Sequence, residues 1–158
     1  MVQIAYFDNA EVEFFEEEEA TPRQLAAVKA VLTLTSADRL KDSRHVYAYY
    51  QDYREAVGGE DWMDEEMGVP ETPEQIWDYV YPTTIGVWSG HEGDDHVYVF
   101  IESNCGWDEE HGLLLVWRDG IQLNKVGGFD GHPTNTVKEG EADDKVYASS
   151  SEQFTTRL

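Results

Sequence analysis

The densest group of chemistry-bearing side chains is Asn104-Cys105-Gly106-Trp107-Asp108-Glu109-Glu110-His111-Gly112-Leu113, with three carboxylates, an imidazole, a thiol and an indole in ten residues. Two chemistries could be written on it. A cysteine nucleophile needs a base within hydrogen-bond reach and a third group to orient that base. Cys105 and His111 supply the first two if the chain folds back. A metal centre needs convergent oxygen and imidazole ligands. Asp108, Glu109, Glu110 and His111 have the right donors, but neighbours on an extended chain point to opposite sides, so a bulge or turn must gather them. A plainer reading competes with both: a solvated acidic loop, a buried thiol, a core indole at Trp107, and a local hydrogen-bonded pair of Glu110 with His111. On that reading no catalytic residue, metal ligand or cofactor is assigned. Trp107, Asp108, Glu109, Glu110 and His111 then form the candidate functional or partner-binding loop.

A second cluster is His91-Glu92-Gly93-Asp94-Asp95-His96. Its histidines are one residue too far apart for the single helical face used by His-Glu-x-x-His zinc hydrolases. The carboxylate spacing of a calcium-binding EF-hand loop is absent too, and Gly127-Gly128 and Gly131 lack the lysine and strand–turn–helix setting of a phosphate loop. A hydrophilic hairpin tip is the expected structure. The alternative is a divalent-cation site or metal-assisted enzyme built from residues 91–96 and 108–111.

These clusters must be positioned by the elements around them. Residues 84–88, 96–101, 112–118 and 121–126 read as strands, and Asp119-Gly120 is a two-residue hairpin signal. They predict an antiparallel β-meander over about residues 83–126, with 90–95 and 104–113 as its connections. Upstream, Thr21-Pro22-Arg23-Gln24 carries a helix-start signal, and Leu25, Val28, Val31, Leu32 and Thr35 follow at helical spacing. A second helix is predicted over 36–57, with Val46, Tyr49, Tyr50, Tyr53 and Val57 on one face and Gly58-Gly59 at its end. A short third helix follows Thr72-Pro73 and stops at Tyr81-Pro82. Helices over about 21–81 followed by strands predict one α+β domain spanning 1–158, with N-terminal helices packed on the meander. Residues 127–158 are weakly patterned, with a possible edge strand at 145–148.

The motif around Cys105 also carries a resemblance. Cys105, Trp107, Asp108, Glu110, His111, Gly112 and Leu113 spell Cys-x-Trp-Asp-x-Glu-His-Gly-Leu, with Trp77-Asp78-Tyr79-Val80-Tyr81-Pro82 before it and Arg118-Asp119-Gly120 after it. On these residues, over about 72–135, the chain resembles an uncharacterised family of bacterial domains. Some relatives of that family resemble immunity proteins of bacterial toxin systems. The family has no established activity, and that association is the functional hint the resemblance lends.

Composition limits the classes further. The 158 residues include 33 acidic and 11 basic side chains, a formal charge of −22, with 41% hydrophobic and 13% aromatic residues. That is too apolar for an acidic disordered tail. One cysteine makes no internal disulfide, and a pI near 4.3 disfavours nucleic acid as partner. No basic or long apolar segment opens the chain, and no apolar run approaches the ~20 residues of a membrane span. A cytoplasmic protein with Cys105 as a free thiol is expected. The charge is uneven: residues 55–117 hold 16 acids and no Lys or Arg, while 23–54 hold six basic residues and three acids.

These features lead to a non-enzymatic protein that recognises a basic protein surface, with imitation of a nucleic-acid backbone in the same class. A third reading takes the acidity as adaptation to high salt. Crowded carboxylates also predict stability that rises as pH falls from 7 towards roughly 5.

Overall fold

The computed structural model describes residues 1–58, 61–150 and 152–158, and the side chains of Asp61 and Trp62 stand outside that description. The predicted Gly58-Gly59 helix stop therefore falls partly beyond it.

The chain opens with strands. Val2–Ile4 (β1) and Ala10–Phe15 (β2) pair antiparallel, joined by a 3-10 turn at Ala5–Phe7 and by Asp8 and Asn9 at φ 55° and 64°. Asp and Asn tolerate that left-handed backbone because their short side chains bond locally. Then come Pro22–Leu32 (α1), Ser36–Lys41 (α2), Ser43–Ala56 (α3), Asp61–Met67 (α4) and a 3-10 helix at Pro73–Tyr79. Val80–Ser89 (β3), Val97–Cys105 (β4), Leu113–Arg118 (β5) and Gln122–Gly127 (β6) form the predicted antiparallel meander. Lys145–Tyr147 (β7) pairs with Thr156–Arg157 (β8) in a separate two-stranded sheet.

The main sheet runs β1-β2-β3-β4-β5-β6, and β2 pairs with β3 in parallel. The fold is α+β, but the helices do not lead it. They are the crossover that two parallel neighbours require. The signal for the leading pair is short: Val2, Ile4, Val12 and Phe14 alternate with Gln3, Glu11 and Glu13. Three further expectations are corrected. The helix over 36–57 breaks at Asp42, which turns its carboxylate inward to accept the Tyr6 hydroxyl at 2.9 Å. The third helix is 3-10. The strand at 145–148 pairs with the chain end rather than with the sheet edge. The start of α1 is as predicted: Thr21 Oγ1 accepts from Gln24 N–H at 3.1 Å, and Gln24 Oε1 accepts from Thr21 N–H at 2.9 Å.

The two faces of the sheet differ. One carries Val99, Ile101, Leu113, Leu115 and Trp117 against Val28, Val31, Val46, Ile76 and Trp77, all buried. Tyr6 is fully buried there, edge-on to Trp117 at 5.3 Å and Trp77 at 5.8 Å. The other face carries a smaller apolar cluster of Tyr98, Phe100, Leu114 and Val116, with Trp88 against them and no helical residue in it.

The β5–β6 hairpin turns through Asp119 and Gly120, both at positive φ as the two-residue signal requires. Gly120, at φ +74°, comes so close to α1 that a Cβ would stand 2.2 Å from the Ala27 carbonyl oxygen. Gly120→Ala is therefore expected to cost about 2–4 kcal/mol by chemical denaturation, combining left-handed strain with a backbone clash.

Titration shifts of the carboxylates run in both directions. Burial raises Asp42 to about 6, against the pull of the Tyr6 hydrogen bond. Asp64, beside Arg54, and Glu141, bonded by the Lys138 N–H, are instead held below the usual range. Burial, reinforced by Arg44, lowers His45 to about 4, with its Nδ1 2.6 Å from Thr156 Oγ1. The signs oppose. Asp42 is raised, so its contribution is present below its unfolded value and lost as pH rises through about 6. His45 is lowered, so the folded state loses stability as pH falls from about 6.5 to about 4. Relative to wild type, Asp42→Asn should lose stability between pH 7 and pH 5, and His45→Gln should gain it. Thermal melts of both variants at the two pH values check this.

Candidate functional site

The connection from β4 to β5 folds Asp108 into the protein and leaves Glu109, Glu110 and His111 exposed. Asp108 is 5% exposed. Its Oδ1 accepts from the His111 N–H at 3.0 Å, the three-residue reach of an aspartate that caps a turn. Oδ2 accepts from the Tyr49 hydroxyl at 2.9 Å, and that hydroxyl also lies 3.0 Å from the Gly112 carbonyl oxygen. His111 Nδ1 stands 3.2 and 3.1 Å from the two carboxylate oxygens, which favours the tautomer with Nδ1 protonated. The expected Glu110–His111 pair is thus replaced by Asp108–His111. Asp108 wins because it sits at the first position of the turn, where a short side chain reaches forward.

Gly112, at φ +67°, lets this turn close. A Cβ there would stand 2.4 Å from the Ser103 carbonyl oxygen on β4. Trp107 is core, as predicted: it is 3% exposed and packs edge-on against Tyr49 at 5.5 Å and Tyr50 at 5.9 Å. Cys105 is buried, with Sγ 3.5 Å from the Asp108 carbonyl oxygen. Burial pushes its thiol up to about 12, so at neutral pH it is not a thiolate. The turn holds His111 on the Asp108 carboxylate, and the thiol faces the Asp108 backbone. The nucleophile–base arrangement is not assembled. Tyr49, raised by burial, Cys105 and Asp108, stays protonated. Tyr147 stacks on its ring at 5.6 Å and donates to Asp52 at 2.6 Å. On the predicted face of the second helix, Tyr49 and Tyr50 are buried and Tyr53 is half-buried.

The 91–96 cluster lies at the other end of β4. Nine residues of strand separate the clusters by about 30 Å, so the two cannot share one ion. Among the described residues no three His, Cys, Asp or Glu side chains converge in metal-ligand geometry. Asp94 accepts from the Tyr98 hydroxyl at 2.5 Å and from the His96 N–H at 2.9 Å. His96 Nδ1 lies 2.6 Å from Asp119 Oδ2. Burial opposes ionisation of both aspartates, but these hydrogen bonds hold them below the usual range. Burial, with Asp94, raises Tyr98 to about 12.

The same loop walls a cleft of about 1200 Å³ on the helix-free sheet face, with Tyr98, Arg118, Lys125, Asp130 and residues 132–137 on its other sides. Lys125 is 3% exposed. Its Nζ donates to Asp130 at 2.7 and 2.8 Å and to the His132 carbonyl at 2.9 Å, pinning the segment after β6 over the sheet. Sequence reasoning missed this cleft. The available signal was Lys125 itself, a charge opposite Val116 in the hairpin register.

Acidic segments meet at the signature end. Gly106 N–H donates to the Tyr79 carbonyl at 2.9 Å, and a Cβ on Gly106 would stand 2.8 Å from Met67. Glu65 and Glu66 on α4, Glu71, Glu74 and Asp78 around the 3-10 helix, and Glu109 and Glu110 are all exposed. Among the described residues, Asp64 is the acid of 55–117 that forms an ion pair with a Lys or Arg, bidentate with Arg54 at 2.7 and 2.9 Å. Tyr81 and Val69, 57% and 54% exposed, lie in the same segments. No helix among the described residues is long and apolar enough to cross a membrane.

A core role for Trp107 and Asp108 separates them from the exposed acids. Trp107→Ala should cost about 3–5 kcal/mol. Asp108→Ala should cost about 2–3 kcal/mol by stranding the buried donors on it. Glu110→Ala should stay within about 0.5 kcal/mol. Urea unfolding of the three variants is the measurement.

The family described as Domain of unknown function (DUF6985) matches residues 1–133, and the chain belongs to it. No curated protein and no solved structure matches the chain.

Proposed function

We propose that this member of the DUF6985 family is a non-enzymatic protein that recognises a basic protein surface, in the manner of a toxin-immunity protein. The carrying observation is the convergence at one end of the sheet of exposed carboxylates from α4, the 3-10 helix and the β4–β5 turn. Such a surface attracts a cationic partner over a screening length of about 8 Å at physiological salt. The exposed Tyr81 and Val69 offer apolar contact beside it. The turn that presents Glu109 and Glu110 is fixed from beneath by Asp108 and Tyr49, which lowers the ordering cost of binding. The signature motif is thus a rigid mount for an acidic edge.

The test is kinetic. A partner is captured from native cell extract and identified, and its association is measured from about 20 mM to about 500 mM salt. The on-rate should fall about tenfold or more, with a smaller change in off-rate. Replacing Glu65, Glu66, Glu109 and Glu110 together with Gln should slow association and leave folding intact. A flat on-rate, or indifference to that replacement, rejects the reading. Under high-salt adaptation alone, no such partner exists.

A further inference from the structure

We propose that the cleft on the helix-free sheet face binds a neutral, hydroxyl-rich ring ligand, a saccharide. The site stands at the β3–β4 turn, at the opposite end of β4 from the acidic end. Three observations carry it.

The first is charge. Within the cleft, Lys125 is paired with Asp130 and Arg118 with Asp143. Asp94 is occupied by Tyr98 and His96, and Asp95 keeps an exposed carboxylate. Fixed cations are neutralised, and the chain carries −22 overall, so an anionic ligand is repelled.

The second is hydrogen bonding. The lining mixes acceptors and donors: the exposed Asp95 carboxylate, the Thr134 and Thr136 hydroxyls and the Arg118 guanidinium, while the Asn135 amide donates to the Lys145 and Val146 carbonyls. A hydroxyl is the group that both donates to a carboxylate and accepts from a guanidinium or another hydroxyl.

The third is the adjoining surface. Trp88, immediately before the cleft residues Ser89 and Gly90, stacks on Phe100 at 4.0 Å. Phe129 lies 6.1 Å from Trp88, and Phe15 lies 6.5 Å from Phe100. Phe15 and Phe129 are 48% and 36% exposed. An aromatic shelf beside a polar cleft suits a ligand that has an apolar ring face and a hydroxylated edge. One ring rests on the shelf while the next places its hydroxyls among the cleft residues.

Isothermal titration of the full chain with maltohexaose, cellohexaose, xylohexaose and chitotetraose tests this, with spermine as the counter-probe. At least one saccharide should bind with a Kd of about 1 mM or tighter. Asp95→Ala and Phe129→Ala should each weaken it about fivefold or more, with circular dichroism and thermal midpoints unchanged. Both side chains are at the surface, so folding is not at stake. No binding of any of the four saccharides overturns the proposal, as does binding that both variants retain. Spermine binding abolished by Asp95→Ala, without saccharide binding, makes the cleft a cation site and overturns it too.

Discussion

The parallel pairing of β2 with β3 shapes the whole architecture. Parallel neighbours cannot be joined by a tight turn, so the chain must leave the sheet after Phe15 and return at Val80. The four α-helices and the 3-10 helix at Pro73–Tyr79 all lie in that excursion. It is folded onto one sheet face, because Val28, Val31, Val46 and Trp77 have the meander's apolar face to cover. The other face receives no crossover. It is roofed only by the segment after β6, and a cleft remains. The asymmetry between a dry face and a wet one thus follows from a single strand pairing.

Buried polar groups fix the register of this arrangement. Tyr6 reaches from the leading hairpin to Asp42, where α2 meets α3, and packs on Trp117 of the sheet. Tyr49 reaches from α3 to Asp108 in the signature turn. Lys125 gathers Asp130 and the His132 carbonyl from the segment that roofs the wet face. The two tyrosine links join elements distant in the chain, and the lysine ties a loop back over the sheet. Leaving a buried donor or acceptor without its partner incurs the full desolvation penalty of that group. Each link therefore disfavours alternative packings as well as stabilising this one.

Electrostatically, the four arginines of 23–54 are used inside the molecule. Arg39 pairs with Asp8, Arg54 with Asp64 and Arg23 with Asp119. Arg44 donates to the Arg157 carbonyl near the chain end. The pairs of Arg39 and Arg54 join this basic stretch to acids on either side of it in the chain. They leave the carboxylates of α4, the 3-10 helix and the signature turn facing solvent together.

Elements with local signals were legible in the sequence. The meander was readable because alternation and the Asp119-Gly120 turn are contained within a few residues, and the start of α1 because Thr21 and Gln24 bond each other. Trp107 was legible as core from its type and its neighbours. Other features emerge only in three dimensions, because they rest on partners far along the chain. The leading strands alternate only briefly, and β2 finds its parallel partner far along the chain, with Glu13 opposite Thr84. The break at Asp42 depends on Tyr6, 36 residues away. The choice of Asp108 over Glu110 as partner of His111 depends on a turn closed by Gly112 against Ser103 and on a hydroxyl from α3. The separation of the two acidic-histidine clusters depends on the length of β4 between them. The cleft depends on Lys125 facing away from the helices, and that direction is set by strand register across the whole sheet.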